Sequence, residues 1–380
     1  MAGPLSGLRL VEMVGIGPAP FAAMMLSDQG AEVIRIHQKG GRPEIPLMNT
    51  RYDVLARGRR SIAIDLKAEG GSVLALDLIA KADGLIEGFR PGVMERFGLG
   101  PQICLQRNPQ LVYGRMTGWG QTGPLAQTAG HDLNYLALTG ALHAMGQAGA
   151  PPPVPLNLIA DFGGGGMLLA FGMVSALLRA KINGNGQVVD AAMIDGASLL
   201  SSIFWGFRAG GVWSDRRDAN LLDGGAYFYT TYVCADGRFL AVAAIEVRFH
   251  TILLERLELD AAEFTHLKDP AAWPALRARL AGLFLQKPRD EWVALFAGSD
   301  ACVSPVLDWQ EAANHPQMQA RSALITVDGV VQPAPAPRFG DDPASTPCPV
   351  AEPGEDTQAI LQDWGIDAQS ISHATESGAI

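Results

Sequence analysis

Cysteine is scarce in this sequence, with four residues in 380, and no two of them stand at the spacing of a paired motif. The four are Cys104, Cys234, Cys302 and Cys348. This usage matches neither a zinc motif nor a disulfide framework, so a reducing compartment is expected. The seven histidines also lack the spacing of a metal-binding helix, and the sequence therefore implies no metal.

Basic residues are also few, since 29 lysines and arginines face 39 aspartates and glutamates and leave a net charge of −10. An acidic surface argues against nucleic acid or an anionic membrane as a bulk partner. An anionic small molecule would need a local basic pocket. Hydrophobic residues make up 48% of the chain, which is typical of a globular protein with a sizeable core.

Targeting signals are not evident in the sequence. The first residues lack a basic region followed by a long apolar run, and the last three do not match a peroxisomal signal. The most apolar stretch, residues 167–178, is too short for a bilayer span and predicts a buried helix. The cytoplasm is the expected location.

The length of the chain predicts two domains. Strand and helix signals alternate through the first half, which predicts a large α/β domain with a Rossmann-like, mostly parallel sheet. The predicted divisions are a large domain at 1–186, a linker helix and crossover at 187–226, a small α+β domain at 227–315, and a return linker with a C-terminal segment on the large domain at 316–380. Prolines beyond Gly329 predict an extended strap.

The turn after the first predicted strand resembles a phosphate-binding loop only in part. It reads Gly15-Ile16-Gly17, but proline replaces the third glycine, and the second strand ends in basic residues where a nicotinamide site would supply an acid. A tight strand-to-helix turn is therefore favoured over a nicotinamide site. A basic strand end suits the phosphorylated ribose of CoA.

Six segments resemble, in order, the motifs of the family III CoA transferases. They are residues 4–12 (PLSGLRLVE), 87–96 (EGFRPGVMER), 118–124 (GWGQTGP), 186–190 (GQVVD), 302–307 (CVSPVL) and 354–357 (GEDT). The resemblance spans essentially the whole chain. It implies an enzyme of acyl-CoA thioesters that works as an interlocked homodimer.

Three further segments resemble the racemase branch of that family. Residues 130–135 (GHDLNY), 157–165 (NLIADFGGG) and 244–246 (AIE) carry His131, Asp161 and Glu246, which the resemblance identifies as catalytic. The transferases share the aspartate as a nucleophile but depend on a glycine-rich loop ending in glutamine, which is not found here. The resemblance thus implies a racemase of 2-methyl-branched acyl-CoA thioesters.

This reaction needs a base on each face of the α-carbon and stabilisation of the enolate oxygen. Asp161 is the expected first base. His131 is the second, because imidazole titrates near neutrality, and the resemblance implies that Glu246 orients it, in its own chain or from the partner subunit. The glycines at 163–166 predict close approach of a ligand, and the amides at this helix start are expected to donate to the oxyanion. Taken singly, His131 would suggest a turn or core residue, Asp161 a helix cap and Glu246 a solvated charge.

CoA carries phosphates, which require local cations. The candidates are Arg57, Arg60, Arg90 and Arg96, and the resemblance assigns Arg96 to CoA; for the run at 57–60 the alternative is a solvated loop. Where related racemases have an adenine-stacking arginine this chain has Gln38, and the adjacent Lys39 is the expected substitute. No cofactor is expected beyond the CoA of the substrate. The rival functions are a CoA transferase with Asp161 as nucleophile and a non-catalytic CoA-binding protein.

Overall fold

The computed structural model describes residues 3–41, 49–264, 269–340 and 346–380. The chain divides into two compact units. The larger unit comprises Met1–Thr139, Pro155–Leu200 and Gln319–Ile380, and the smaller comprises Gly140–Val154 and Ser201–Met318. The strand and helix labels used below follow chain order.

The larger unit is built on a six-stranded parallel sheet of order β3-β2-β1-β4-β5-β6. Its strands are β1 (Arg9–Met13), β2 (Glu32–Gln38), β3 (Arg60–Ile64), β4 (Gly84–Glu87), β5 (Val112–Thr117) and β6 (Gln187–Ala192). This is the strand order of a doubly wound Rossmann fold, in which the order reverses between β1 and β4. The predicted parallel α/β sheet is confirmed.

Helices flank this sheet, as the buried strands require. They are α1 (Pro18–Asp28), α2 (Gly71–Ala80), α3 (Val93–Arg96), α4 (Pro101–Arg107), α5 (Asp132–Leu138), a π-helix (Leu158–Met167), α6 (Leu168–Asn183), α7 (Met193–Leu200), α14 (Thr357–Asp363) and α15 (Ala368–Glu376), with single 3₁₀ turns at Thr50–Tyr52 and Val54–Ala56. The main core packs Val11, Ile34 and Ile62 of the sheet against Leu78 of α2 and Trp364 beside α14. The C-terminal helices thus complete the core of the larger unit.

The last part of the larger unit differs from the predicted strap. A two-stranded antiparallel hairpin forms from β10 (Leu324–Val327) and β11 (Val330–Pro333), and Gln332 within it is buried. Gln332 accepts a hydrogen bond from buried Arg57, and this bond joins the hairpin to the segment that precedes β3. Pro343, part of the predicted strap, lies outside the described residues.

The predicted apolar helix at 167–178 differs from expectation in length and burial. The π-helix and α6 run without a break over Leu158–Asn183, which is long and apolar enough to cross a membrane by length and composition. A core helix of a globular fold passes the same test, and this run packs against α1, α7, β5 and β6. It is only partly buried, because one side of α6 exposes Phe171, Leu178 and Ile182.

The smaller unit is an α+β assembly. Its three-stranded antiparallel sheet has the order β7-β8-β9, with β7 (Tyr229–Val233), β8 (Phe239–Ala243) and β9 (Val303–Pro305). Its helices are α8 (Ser202–Ala209), α9 (Val247–Arg256), α10 (Trp273–Phe284), α11 (Arg289–Phe296) and α12 (Trp309–Asn314), with 3₁₀ turns at Ala261–Glu263 and Pro270–Ala272; α13 (Pro316–Ala320) crosses the boundary between the units. Tyr232 and Leu240 pack on Phe284 and Trp292 in its core.

Two observed boundaries differ from the predicted divisions. Strand β6 and helix α7, predicted to lie in the linker, belong to the larger unit because β6 pairs with β5 along its whole length. The segment Gly140–Val154, predicted to lie in the large domain, groups with the smaller unit.

Candidate active site

The carboxyl ends of the first four strands surround a cavity of about 490 Å³ in the larger unit. Met13 of β1, Gln38 of β2, Ile64 of β3 and Gly88 beyond β4 line it. Ligands of doubly wound sheets bind at this edge, next to the point where the strand order reverses. The cavity therefore lies where the fold favours a nucleotide-containing ligand.

The turn between β1 and α1 connects this cavity to Asp161. Gly15 and Ile16 line the cavity. Gly17 follows with φ of +71°, and a Cβ at this position would lie 3.6 Å from Oδ2 of Asp161. A side chain here would be strained by the positive φ, while its Cβ would make only ordinary van der Waals contact with the carboxylate. The turn is thus tight, as predicted, and its last glycine lies beside Asp161.

The carboxylate of Asp132 fixes the backbone that carries Asp161. Its Oδ2 accepts hydrogen bonds from the amides of Ala160 (2.7 Å) and Asp161 (2.8 Å) in the first turn of the π-helix. Asp132 is 4% exposed, and its Oδ1 is buried with no hydrogen-bond partner in the part of the chain that the structure describes. Asp132 therefore occupies the amides of Ala160 and Asp161. The expectation that amides at the glycines 163–166 donate to an oxyanion stays a prediction.

The glycines after Asp161 serve helix packing rather than ligand approach. A Cβ at Gly164 would lie 2.6 Å from the amide nitrogen of Ala197 in α7. One at Gly166 would lie 2.8 Å from the carbonyl oxygen of Pro18 in α1. Only glycine lets these backbones approach so closely. The close approach predicted for a ligand is made instead by neighbouring helices.

The surroundings of Asp161 strengthen its carboxylate as a base. Burial raises the pKa of Asp161 above its usual value. The Asn157 side-chain amide, 3.3 Å from Oδ2, lowers it, the Asp132 carboxylate raises it further, and His131 lowers it. The electrostatic influence of His131 shows that the two predicted bases lie in one region of the larger unit.

His131 is held at the start of α5 with its side chain exposed. Its backbone N–H donates to Oδ1 of Asn134 at 3.1 Å. Tyr135 of the same helix donates its hydroxyl to the carbonyl of Gly130 and stands edge-on to Trp119, with ring centroids 4.7 Å apart. The motif at 118–124 therefore supports the segment that presents His131.

Glu246 belongs to the smaller unit, where it is the N-cap residue of α9. Its side chain is exposed. The pKa of the Cys302 thiol is raised by burial and also by Glu246, which places the carboxylate near Cys302. The structure brings His131 and Asp161 together in one unit and places Glu246 in the other. The predicted role of Glu246 stays a prediction.

Arg90 and Arg96 are exposed on the turn that forms one wall of the cavity. Phe89, Val93 and Phe97 of this turn line the cavity. In the described part of the chain, no carboxylate lies within 4 Å of either guanidinium. Both arginines are available to an anionic ligand.

Three predicted CoA contacts already have protein partners. Arg57 is buried and bonds Asp28, Gln332 and the carbonyl of Pro333. Arg60 begins β3, at the opposite end of the strand from the cavity, and pairs with Glu32 and Asp363. Lys39 donates to the carbonyls of Gly378 and Ile380 at 2.8 Å each. These contacts argue against phosphate binding and also against the alternative of a solvated loop at 57–60.

Sequence reasoning did not identify three residues of the site. Lys67 and His37 line the cavity, and Asp132 anchors Asp161. Lys67 lies three residues beyond the last residue of β3, so its place just past a strand end could have been used as a signal. Burial lowers the pKa of His37 to about 3, helped by Arg35 and Arg59, so its imidazole is neutral.

Comparisons with known proteins agree with the fold and identify the family. The family described as CoA-transferase family III matches residues 5–357. The chain is 44% identical over 371 residues to an α-methylacyl-CoA racemase of Mus musculus, and 42% identical over 372 residues to one of Homo sapiens. Each alignment covers 97% of this chain and 95% of the relative. A CaiB/BaiF family protein of Brucella suis has the same fold, with a TM-score of 0.82, 27% identity, and coverage of 96% of this chain and all of that one.

Proposed function

The chain belongs to CoA-transferase family III, and from this membership and the site we propose that it is a racemase. It inverts the α-carbon of 2-methyl-branched acyl-CoA thioesters. The observation that carries the proposal is that Asp132, the sequence neighbour of His131, binds the amide of Asp161 at 2.8 Å, which holds the two segments side by side. Burial raises the pKa of the Asp161 carboxyl. A raised pKa suits a carboxylate that must both take and return a proton.

The two bases share one proton between them. When neutral His131 removes the α-hydrogen, Asp161 must be protonated so that it can deliver a proton to the opposite face. For the other epimer the Asp161 carboxylate removes the hydrogen and the His131 imidazolium donates. Thioester and enolate interconvert with no other bond broken. This reaction uses no metal or redox cofactor.

CoA binds in the cavity at the strand ends, with its anionic part at Arg90, Arg96 and Lys67. These three cations lie near the cavity, at the carboxyl ends of the strands. Arg57, in contrast, is buried and pairs with Asp28. Glu246 orients His131 through the second ring nitrogen, either in its own chain or from the partner subunit. Such a carboxylate fixes the tautomer and stabilises the imidazolium.

The active form is a homodimer. Helix α6 supports this proposal with a row of exposed apolar side chains at helical spacing, with Phe171 72%, Leu178 61% and Ile182 77% exposed. A contiguous apolar row of this kind is typical of a protein interface. Replacing Phe171 and Leu178 with lysine (F171K/L178K) should convert a dimer to a monomer in sedimentation velocity. A wild-type chain that sediments as a monomer would contradict the proposal.

One incubation separates the three candidate functions. A single epimer of a 2-methylacyl-CoA is incubated with the chain in D₂O, with a free carboxylic acid present. The racemase predicts deuterium at the α-carbon together with loss of chirality. CoA transferred to the free acid without α-exchange would identify a transferase, with Asp161 as nucleophile. Tight CoA binding without either reaction would identify a non-catalytic protein.

A further inference from the structure

A buried arginine fastens the turn that carries the two exposed cations. Arg115 lies in β5 opposite Glu87 of β4, and it is nearly buried. Its Nε donates to Oε1 of Glu87 at 3.0 Å, and its Nη1 pairs with Oε1 of Glu95 at 3.0 Å. Glu87 immediately precedes the turn and Glu95 lies near its end. One guanidinium therefore holds both ends of the segment 88–97.

Each of the two glutamates also makes a contact with the turn or with the residues beside it. The second oxygen of Glu87 accepts the amide of Phe89 at 2.8 Å, at the cavity wall. The stem of Glu95 packs so tightly that a Cβ at Gly100 would lie 2.7 Å from its Cγ. The Glu87 carboxylate thus binds the backbone of the turn as well as Arg115, and the stem of Glu95 packs beside Gly100.

Arg115 is the cationic neighbour of three carboxylates, those of Glu87, Glu95 and Asp190. Asp190 of β6 pairs with Arg115 across the other edge of β5. Burial raises the pKa of Asp190, and the positive charge of Arg115 opposes this rise. Burial raises the pKa of Glu87 to about 7, against the opposing effects of the Phe89 amide and of Arg115. Without the guanidinium, Glu87 would be a buried carboxylate without a cationic partner.

We infer that Arg115, through Glu87 and Glu95, is a positioning residue for nucleotide binding, because it fixes the turn on which Arg90 and Arg96 meet the anionic part of CoA. This inference rests on the proposed function, since it takes CoA as the ligand of those cations. Arg115 is not among the residues that line the cavity. Its effect should fall on the affinity for CoA rather than on proton transfer.

The test uses Glu95→Gln, because the Glu95 side chain is 44% exposed and its replacement should not prevent folding. Arg115→Met is a second variant, and Arg107→Met is the matched control, since among the described residues the Arg107 guanidinium pairs only with Asp77, at the surface. The Kd of free CoA is measured by calorimetry. Racemisation is followed with the CoA thioester and with the N-acetylcysteamine thioester, which lacks the nucleotide.

Glu95→Gln should raise the Kd for CoA about tenfold, the change expected when one charge-assisted contact is lost. Its kcat/KM on the truncated thioester should stay within about twofold of wild type, as should all values for Arg107→Met. In a chain lacking both cations (R90A/R96A), adding Glu95→Gln should no longer change the Kd.

An unchanged Kd in Glu95→Gln would overturn the inference, as would an equal loss on both thioesters, which indicates general damage to the fold. If Arg115→Met fails to fold, Glu95→Gln alone decides. Failure of the proposed function would look different: wild-type chain would bind CoA but would not racemise either thioester, while the effect on Kd would remain measurable.

Discussion

Replacing Asp132 tests how the backbone at Asp161 is held. In Asp132→Ala the amides of residues 160 and 161 lose an acceptor that lies at 2.7 and 2.8 Å. Hydrogen bonds to a charged acceptor contribute about 1.5–3 kcal/mol each, and part of this is offset because a buried oxygen without a partner is also removed. The net loss should be about 2–4 kcal/mol in the free energy of unfolding.

Activity should fall with stability in this variant. A displacement of the Asp161 carboxylate by about 1 Å is enough to slow proton abstraction by about a hundredfold. Asp132→Asn keeps an acceptor oxygen but removes the charge that raises the pKa of Asp161. The weaker base should slow α-proton exchange about three- to tenfold, with a loss of stability of about 1–2 kcal/mol.

The assays are urea unfolding followed by circular dichroism and α-deuterium exchange from each epimer. Asp367→Asn is the matched control, because Asp367 also accepts two amides, those of Gln369 and Ser370, but at an exposed helix start. It should leave exchange unchanged. An Asp132→Ala chain with wild-type stability and exchange would refute the role of this carboxylate.

Two further predictions concern the fold around the site. Arg57→Met should lower the free energy of unfolding by about 3–5 kcal/mol, because Asp28 is left buried without its partner, yet the Kd for CoA should not change in calorimetry. A raised Kd in folded protein would restore Arg57 as a CoA contact. Gly118→Ala should cost about 1–3 kcal/mol and reduce exchange, because the new Cβ would lie 2.1 Å from the ring of Tyr135. Wild-type melting temperature and activity would contradict this.

The sheet could be predicted from the sequence because its signals are local. Runs such as residues 32–37 and 61–65 combine β-branched residues with turn residues at each end, and they lie within one residue of β2 and β3. Segment Gly140–Val154 gave no comparable signal, since its grouping with the smaller unit depends on tertiary contacts.

The sequence singled out His131 and Asp161 as candidate bases but not the side chains that surround them. His131 and Asp161 stand in recognisable segments, whereas the carboxylate that holds Asp161 is a neighbour of His131 in sequence and was not singled out. Arg57 and Arg90 are both arginines beside glycine or proline in the sequence. Only the folded chain shows that one is buried against Asp28 and the other is exposed beside the cavity. Long-range pairing decides the role of a charge, and composition does not reveal it.

The central claim is that His131 and Asp161 act on opposite faces of one carbon, and single-base variants test it most directly. Each epimer is incubated in D₂O with His131→Ala and, separately, with Asp161→Asn. His131→Ala should exchange the α-hydrogen of one epimer with retained configuration and leave the other epimer inert. Asp161→Asn should show the reverse preference. Exchange from both epimers in either variant, or the same preference in both variants, would contradict the two-base account.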